Sequence, residues 1–318
     1  MLMYVGMFTI DAQSRMMWFQ PGTLEPLWKF EMLGVLFSLA VYNGITLPVT
    51  FPLALYRYLL QSHSGSSQDD TGLESIRDGW PDLTKSFEGL LSWSDGDVGD
   101  VIMRDYAFSF EVFGQRVDHD MKSPFPHHDP GSSSVLAGFT ASDTELPLVT
   151  NANRADFVRD YINHLTYISV APQLRAFKKG FMTCLHPRSL LFFTPSALRH
   201  LIEGTQHISI PSLRKCARYT DAYSATHPVI LTFWSIVSQY SQEDCRALLE
   251  FVTASDRVPI TGYDSITFHI MPMNGDTENL PTSSTCFGKL YLPEYNTREK
   301  MEMKLGLAIR NSTGFGVI

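Results

Sequence analysis

Cys286 lies within Leu280-Pro-Thr-Ser-Ser-Thr-Cys-Phe-Gly-Lys-Leu-Tyr-Leu-Pro-Glu-Tyr295, 32 residues before Ile318. A thiolate is a potent side-chain nucleophile, and Pro281 with the hydroxyls of Thr282, Ser283, Ser284 and Thr285 describes a stiff polar loop that keeps sulfur at the surface. Such a loop suits nucleophilic catalysis by an exposed thiol. The residues alone favour a small core hydrophobe, the commoner fate of a lone cysteine beside an aromatic side chain. Protease chemistry would further require a histidine held against the thiol and a third group orienting it. His269 is the nearest in sequence, but it falls in an alternating strand pattern that predicts a structural or exposed role. His227 precedes Pro228 at a helix start, so the protease reading falls behind.

The remaining cysteines, Cys184, Cys216 and Cys245, have neither metal-ligand spacing nor a disulfide framework, which predicts no metal, no cofactor and a reducing compartment, cytoplasm or nucleus. His127-His128 sits in a Pro/Ser/Gly-rich stretch and reads as solvated loop. A net charge of −8 and a pI of about 5.7 argue against a nucleic-acid binder, which normally carries a basic face. The 25 uncharged residues from Met32 to Tyr56 have the length of a membrane span. Asn43-Gly44, Pro48 and Pro52 interrupt them, however, leaving a helix of about three turns before the first break, which is too short. No membrane span and no signal peptide are expected.

The elements that must position this loop can be read from period and punctuation. Leu27–Tyr42 predicts a helix apolar on almost every side and hence fully buried, followed by Leu53–Leu60 and Pro81–Trp93. Tyr106, Phe108 and Phe110 alternate as one face of a strand. The polar stretch 61–72 and the Pro/Ser/Gly-rich stretch 123–145 predict loops. Phe157, Tyr161 and Leu165 restore the helical period; Pro172 predicts a break before Leu174–Cys184; Thr194-Pro195 opens a helix that Gly204 ends. Uncharged residues 204–211 predict a domain boundary. Beyond it, Val229–Val237 and the segment capped by Ser241 and Asp244 are helices, with Cys245, Leu248, Leu249 and Val252 facing inward. Ile266, Phe268 and Ile270, then Leu290 and Leu292, alternate as strands, and Met301, Leu305, Ala308 and Ile309 mark a last amphipathic helix. The expected class is α+β.

The Cys286 segment resembles the active-site loop of HECT-type ubiquitin ligases. Further matching segments keep the family's order: Leu27-Trp-Lys-Phe-Glu-Met-Leu-Gly34, Ala40-Val-Tyr-Asn-Gly-Ile45, Phe51-Pro-Leu-Ala-Leu-Tyr56, Val149-Thr-Asn-Ala-Asn-Arg154, Phe177-Lys-Lys-Gly-Phe181, Phe251-Val-Thr-Ala-Ser-Asp-Arg-Val-Pro259 and Gly314-Phe-Gly316. They are most similar to the branch of the E6-associated protein. The resemblance implies a bilobal domain: a larger, mostly helical lobe over 1–203, a hinge at 204–208 and a smaller α+β lobe over 209–318. It implies that Cys286 carries ubiquitin as a thioester received from a ubiquitin-conjugating enzyme and passes it to a lysine of a protein substrate. Phe315 and Thr285 would assist transfer, Leu91, Trp93, Met103, Phe157 and Tyr161 would line the conjugating-enzyme groove, and Gly204, Thr205, Gln206 and His207 would form the pivot. For Phe157 and Tyr161 the residues alone also describe one apolar helix face packed on the core. The start of the chain resembles the interior of the family's first lobe, and Ser284 stands where relatives commonly have histidine. A module that binds conjugating enzyme or ubiquitin without catalysis is the alternative.

Overall fold

The computed structural model describes residues 6–61, 72–112, 114–126, 146–220, 222–273 and 275–311. Phe315, Gly314 and Gly316, most of the polar stretch 61–72, and 127–145 of the Pro/Ser/Gly-rich stretch lie outside the described residues. The chain divides into two compact units, Met1–Asn43 with Val49–Arg199, and Gly44–Pro48 with His200–Ile318. Both mix helices with small sheets, as the α+β reading expects.

The first unit opens with the antiparallel pair β1 (Phe8–Ile10) and β2 (Met17–Phe19), then α1 (Leu27–Asn43), α2 (Leu53–Leu60), α3 (Pro81–Ser92) and α4 (Val98–Val101). The hairpin β3 (Ala107–Val112) and β4 (Gln115–Asp120) follows, then α5 (Arg154–Thr166), α6 (Ala171–Phe181), α7 (Pro187–Leu190) and α8 (Pro195–Glu203), which runs across the division between units. α1 forms where expected but is not buried all round. Trp28 is 59% exposed and Tyr42 72%, with Met32, Leu36 and Leu39 between them on the same open side. The reason is a close crossing with α6 on the other side. A Cβ on Gly34 would stand 2.0 Å from the Phe177 carbonyl oxygen, and one on Gly180 would stand 1.9 Å from that of Glu31, so one face meets α6 through bare backbone. The break expected at Pro172 falls just before it, since α5 ends at Thr166 and α6 starts at Ala171 with Pro172 in its first turn, where a proline forfeits no intrahelical bond. Phe125, expected in a loop, is 7% exposed and packs on Phe110 and His119. Among the described residues no helix is long and apolar enough to cross a membrane.

In the second unit, α9 (Ile210–Cys216) leads into β5 (Arg218–Tyr219), α10 (Pro228–Val237) and α11 (Gln242–Thr253). The strands β6 (His269–Met273), β7 (Thr282–Ser284) and β8 (Lys289–Pro293) then precede α12 (Arg298–Asn311). The sheet order is β5-β6-β8-β7, with β5, β6 and β8 parallel and β7 antiparallel to β8. Its strand β6 starts at His269, later than the alternation from Ile266 suggests, since Tyr263–Ser265 forms a 3₁₀ turn. One sheet face is apolar: Ile270, Leu290 and Leu292 are fully buried with Leu248, Leu249 and Val252 of α11 and Met301, Leu305 and Ile309 of α12. Ser241 caps α11, its Oγ accepting from the Asp244 amide at 3.1 Å and donating to the Asp244 carboxylate at 2.8 Å.

Candidate functional site

Cys286 is exposed, at the centre of a 3₁₀ turn spanning Thr285–Phe287 that joins β7 to β8. Two backbone bonds hold this turn: the Gly288 amide donates to the Thr285 carbonyl at 3.2 Å, and the His269 amide donates to the Gly288 carbonyl at 2.7 Å. Gly288 has φ +56°, and a Cβ there would lie 2.0 Å from the Thr267 carbonyl oxygen. Both the left-handed backbone and the lack of space require glycine. Gly288→Ala is expected to cost at least about 2 kcal/mol of stability in the second unit, measured by denaturant unfolding, because conformation and contact are both penalised.

Upstream, the Tyr295 hydroxyl donates to the Asn279 carbonyl at 2.7 Å and Pro281 is buried, so the segment entering the turn is tied at its base. Lys300 pairs with Asp276 and Glu278, and Lys304 with Glu278, at 2.9–3.0 Å, which fastens the same connection to α12. Phe287 is 65% exposed beside the thiol, with the Lys289 ammonium 5.6 Å from its ring centre. The turn therefore holds a sulfur and a ring outward on a backbone anchored at both ends. Thr285 is exposed as well.

Two other thiols differ in chemistry. Burial pushes the Cys245 thiol up and Asp244 adds to the shift; burial also raises Cys216. Desolvation of this kind disfavours the thiolate and with it nucleophilic attack. Among the described residues no hydrogen bond joins a histidine to Cys286. His227 caps α10, accepting from the Val229 amide at 3.3 Å, a purely local role. Among the described residues a protease constellation is thus not assembled.

In the first unit, an open groove of about 640 Å³ runs along β3 and β4, lined by Ile102, Met103, Arg104, Phe110, Glu111 and Arg116 among others. Met103 is 71% exposed at φ +48°, a left-handed conformation uncommon for a side chain of this size, and Val101 and Ile102 are 55% and 39% exposed beside it. Leu91 and Trp93 are half-buried, and the Trp93 indole donates to the Asp95 carbonyl at 2.9 Å. Phe157 and Tyr161 do not line a surface and correct the expectation placed on them. They are 0% and 6% exposed, packed edge-on against Phe87 with ring centres 6.0 and 5.3 Å away. The Arg104 guanidinium covers both rings at 5.2 and 5.4 Å, so they support a groove residue from beneath.

The residues expected to pivot are bonded within the second unit. Thr205 and Val258 exchange two backbone bonds of 2.8 and 2.9 Å, and the Gln242 amide grips the Ile208 backbone at 2.9 and 3.1 Å. Gly204 has φ +68° with Val258 pressed against it, Gln206 is half-buried and His207 is exposed. Sequence reasoning missed Gly288, Lys289 and the docking of 44–48, where the Leu47 amide donates to the Ile202 carbonyl at 2.8 Å. Only Gly288 carried a signal, being a glycine between a turn and a strand.

Comparison with known proteins places these features in context. The family model described as HECT-domain (ubiquitin-transferase) matches residues 3–318. The chain is 32% identical over 313 residues to the human probable E3 ubiquitin-protein ligase HERC4, and 30% identical over 319 residues to the mouse probable E3 ubiquitin-protein ligase HECTD2. It is 27% identical over 324 residues to the probable E3 ubiquitin-protein ligase HUL4 of Eremothecium gossypii. Each match covers 98% of this chain but only 27%, 38% and 36%, respectively, of the relative's own length.

Proposed function

The chain belongs to the HECT-domain family of ubiquitin transferases, and from that premise we propose that it is a bilobal ubiquitin ligase whose second unit carries ubiquitin as a thioester on Cys286. The observation that carries the reading is the exposed sulfur on a turn fastened at both ends. Such a turn supplies orientation, which is most of what this reaction asks of a protein. Substrate lysine, ubiquitin and a conjugating enzyme are the partners, in the cytoplasm or nucleus.

In the first transfer the Cys286 thiolate attacks the thioester carbonyl of ubiquitin on the conjugating enzyme, and that enzyme's thiolate leaves. One thiolate replaces another, so the exchange is nearly isoenergetic and needs little acid–base help. In the second, a neutral lysine amine attacks the new thioester, Cys286 leaves as thiolate, and the proton lost by nitrogen passes to water. The groove around Met103 is the proposed seat of the conjugating enzyme, and Leu91 and Trp93 are proposed to contact that enzyme as well. Residues 204–207 are the proposed pivot. His207→Pro tests it better than Thr205→Pro, which would also remove the Thr205 amide bond to the Val258 carbonyl. Thr285 is proposed to position the thioester carbonyl and Phe315 the bound ubiquitin. Phe315→Ala is expected to load Cys286 at the wild-type rate and to discharge to lysine several-fold more slowly; equal single-turnover discharge would remove it from the mechanism.

The reading is tested with Cys286→Ser. An oxygen nucleophile converts the thioester into an oxyester, so the ubiquitin adduct should survive thiol reductant and yield to hydroxide. An adduct in this variant that stays as thiol-labile as wild type would place the acyl group on another cysteine.

A further inference from the structure

The sheet of the second unit displays a row of residues with no part in the steps above. Its register sets Arg218 opposite His269, His269 opposite Lys289 and Lys289 opposite Ser284, one residue from each strand, side by side on one face. The adjacent row, Ile270 and Leu290, points into the core at 0% exposure, whereas Arg218 is exposed and His269 and Lys289 are half-exposed. A guanidinium, an imidazole and an ammonium therefore stand in line on the open face. Among the described residues none of the three is in an ion pair, and the Lys289 ammonium lies over the Phe287 ring. In a chain of net charge −8 this is a local inversion of sign.

The row also has a direction. Neighbouring strands are about 4.8 Å apart, so the backbone positions of Arg218 and Lys289 are separated by about 10 Å. Ser284, at the end of the row, precedes Cys286 by two residues, within about 7 Å along the backbone. The basic groups thus lead up to the sulfur. A peptide in the polyproline II conformation rises about 3.1 Å per residue with three residues per turn, so carboxylates three positions apart fall on one side about 9 Å from each other and would match Arg218 and Lys289 while a lysine a few residues further on reaches Cys286.

Resting on the assignment of Cys286 as the thioester residue, we propose that this row selects acceptor lysines flanked by acidic residues. Aspartate or glutamate of the substrate pairs with Arg218 and Lys289, and His269 between them offers an N–H donor in either protonation state. The same cations disfavour an approaching ammonium and so favour the neutral amine that attacks the thioester. An acidic flank offsets the long-range repulsion that a bare lysine would meet. Nucleic acid is the poorer fit, because the acidic surface of the whole chain opposes a polyanion whereas a short acidic peptide touches only the row.

The test begins with binding, which requires no thioester. A fluorescent lysine peptide carrying two aspartates three residues apart is compared with its asparagine counterpart on the full chain at low salt, in wild type and in Cys286→Ala. The acidic peptide should bind about tenfold more tightly, and added salt should erode the difference. Arg218→Ala/Lys289→Ala should abolish the preference, Arg218→Lys/Lys289→Arg should keep it, and Arg218→Glu/Lys289→Glu should reverse it toward arginine-flanked peptides. Equal binding of both peptides to wild type, a preference that survives the double alanine variant, or tighter binding of an oligonucleotide of equal charge would overturn the proposal. Single-turnover discharge from preloaded wild type should then show the same ratio, and binding preference without discharge preference would overturn the role in substrate selection. Failure of Cys286 to load would leave the binding result standing and count against the catalytic assignment alone.

Discussion

Cys286→Ala is expected to lower ubiquitin ligation by about 10³-fold or more, because removing a covalent nucleophile leaves no parallel route through the same intermediate. Affinity for the conjugating enzyme should be unchanged, since the proposed groove belongs to the first unit and Cys286 to the second. Stability should move by no more than about 0.5 kcal/mol, as expected for an exposed loop side chain. Gel-based ligation, titration of the conjugating enzyme and thermal melting together separate these effects. A large melting shift would make Cys286 a core residue, which its exposure argues against. Replacing Cys245 or Cys216 should do the reverse, costing stability and sparing chemistry, because one is fully buried and both thiols are raised by desolvation.

The second large effect is expected at Phe157. Its ring is fully buried and touches Phe87, Tyr106 and Tyr161 with centres 5.4–6.0 Å apart, with Arg104 lying over it. Phe157→Ala leaves a cavity among these rings, and the loss should be about 3–5 kcal/mol of folding stability. Affinity for the conjugating enzyme, counted per folded molecule, should fall less than in Met103→Ala. The Met103 side chain is 71% exposed at the groove rim, so truncating it should leave melting unchanged and cost more than about 1 kcal/mol of binding if it is an interface anchor. The opposite pattern, normal melting in Phe157→Ala with lost affinity, would restore Phe157 to the surface.

Much of the architecture was legible in the chain because local signals and tertiary packing agree. α5, α10, α11 and α12 lie where periodicity, Pro228 and Ser241 place them, and the four residues expected on the inner face of α12 are the ones that are buried. Where tertiary contact overrides local pattern, the reading failed. The apolar surround of α1 concealed an open side, since the crossing at Gly34 and Gly180 consumes only one face. Phe157 and Tyr161 recur every four residues in either a groove or a core, and only the positions of Phe87 and Arg104 decide between them. The loop of Cys286 was legible as polar, stiff and outward, but its anchoring to the sheet was not. That rests on Gly288 meeting Thr267, a contact across 21 positions of sequence that no local pattern announces. The basic row was hidden for the same reason, being assembled from three strands by register alone.

The most direct measurement is a single-turnover reaction of the wild-type chain with a conjugating enzyme precharged with ubiquitin, quenched in acid without reductant and mapped by mass spectrometry. The account predicts that ubiquitin leaves the conjugating enzyme, appears on the peptide containing Cys286 as a thiol-labile adduct, and only afterwards appears on lysine. Ubiquitin found on another residue of the chain, or passing from the conjugating enzyme to lysine with no adduct on Cys286 at any time, would contradict it.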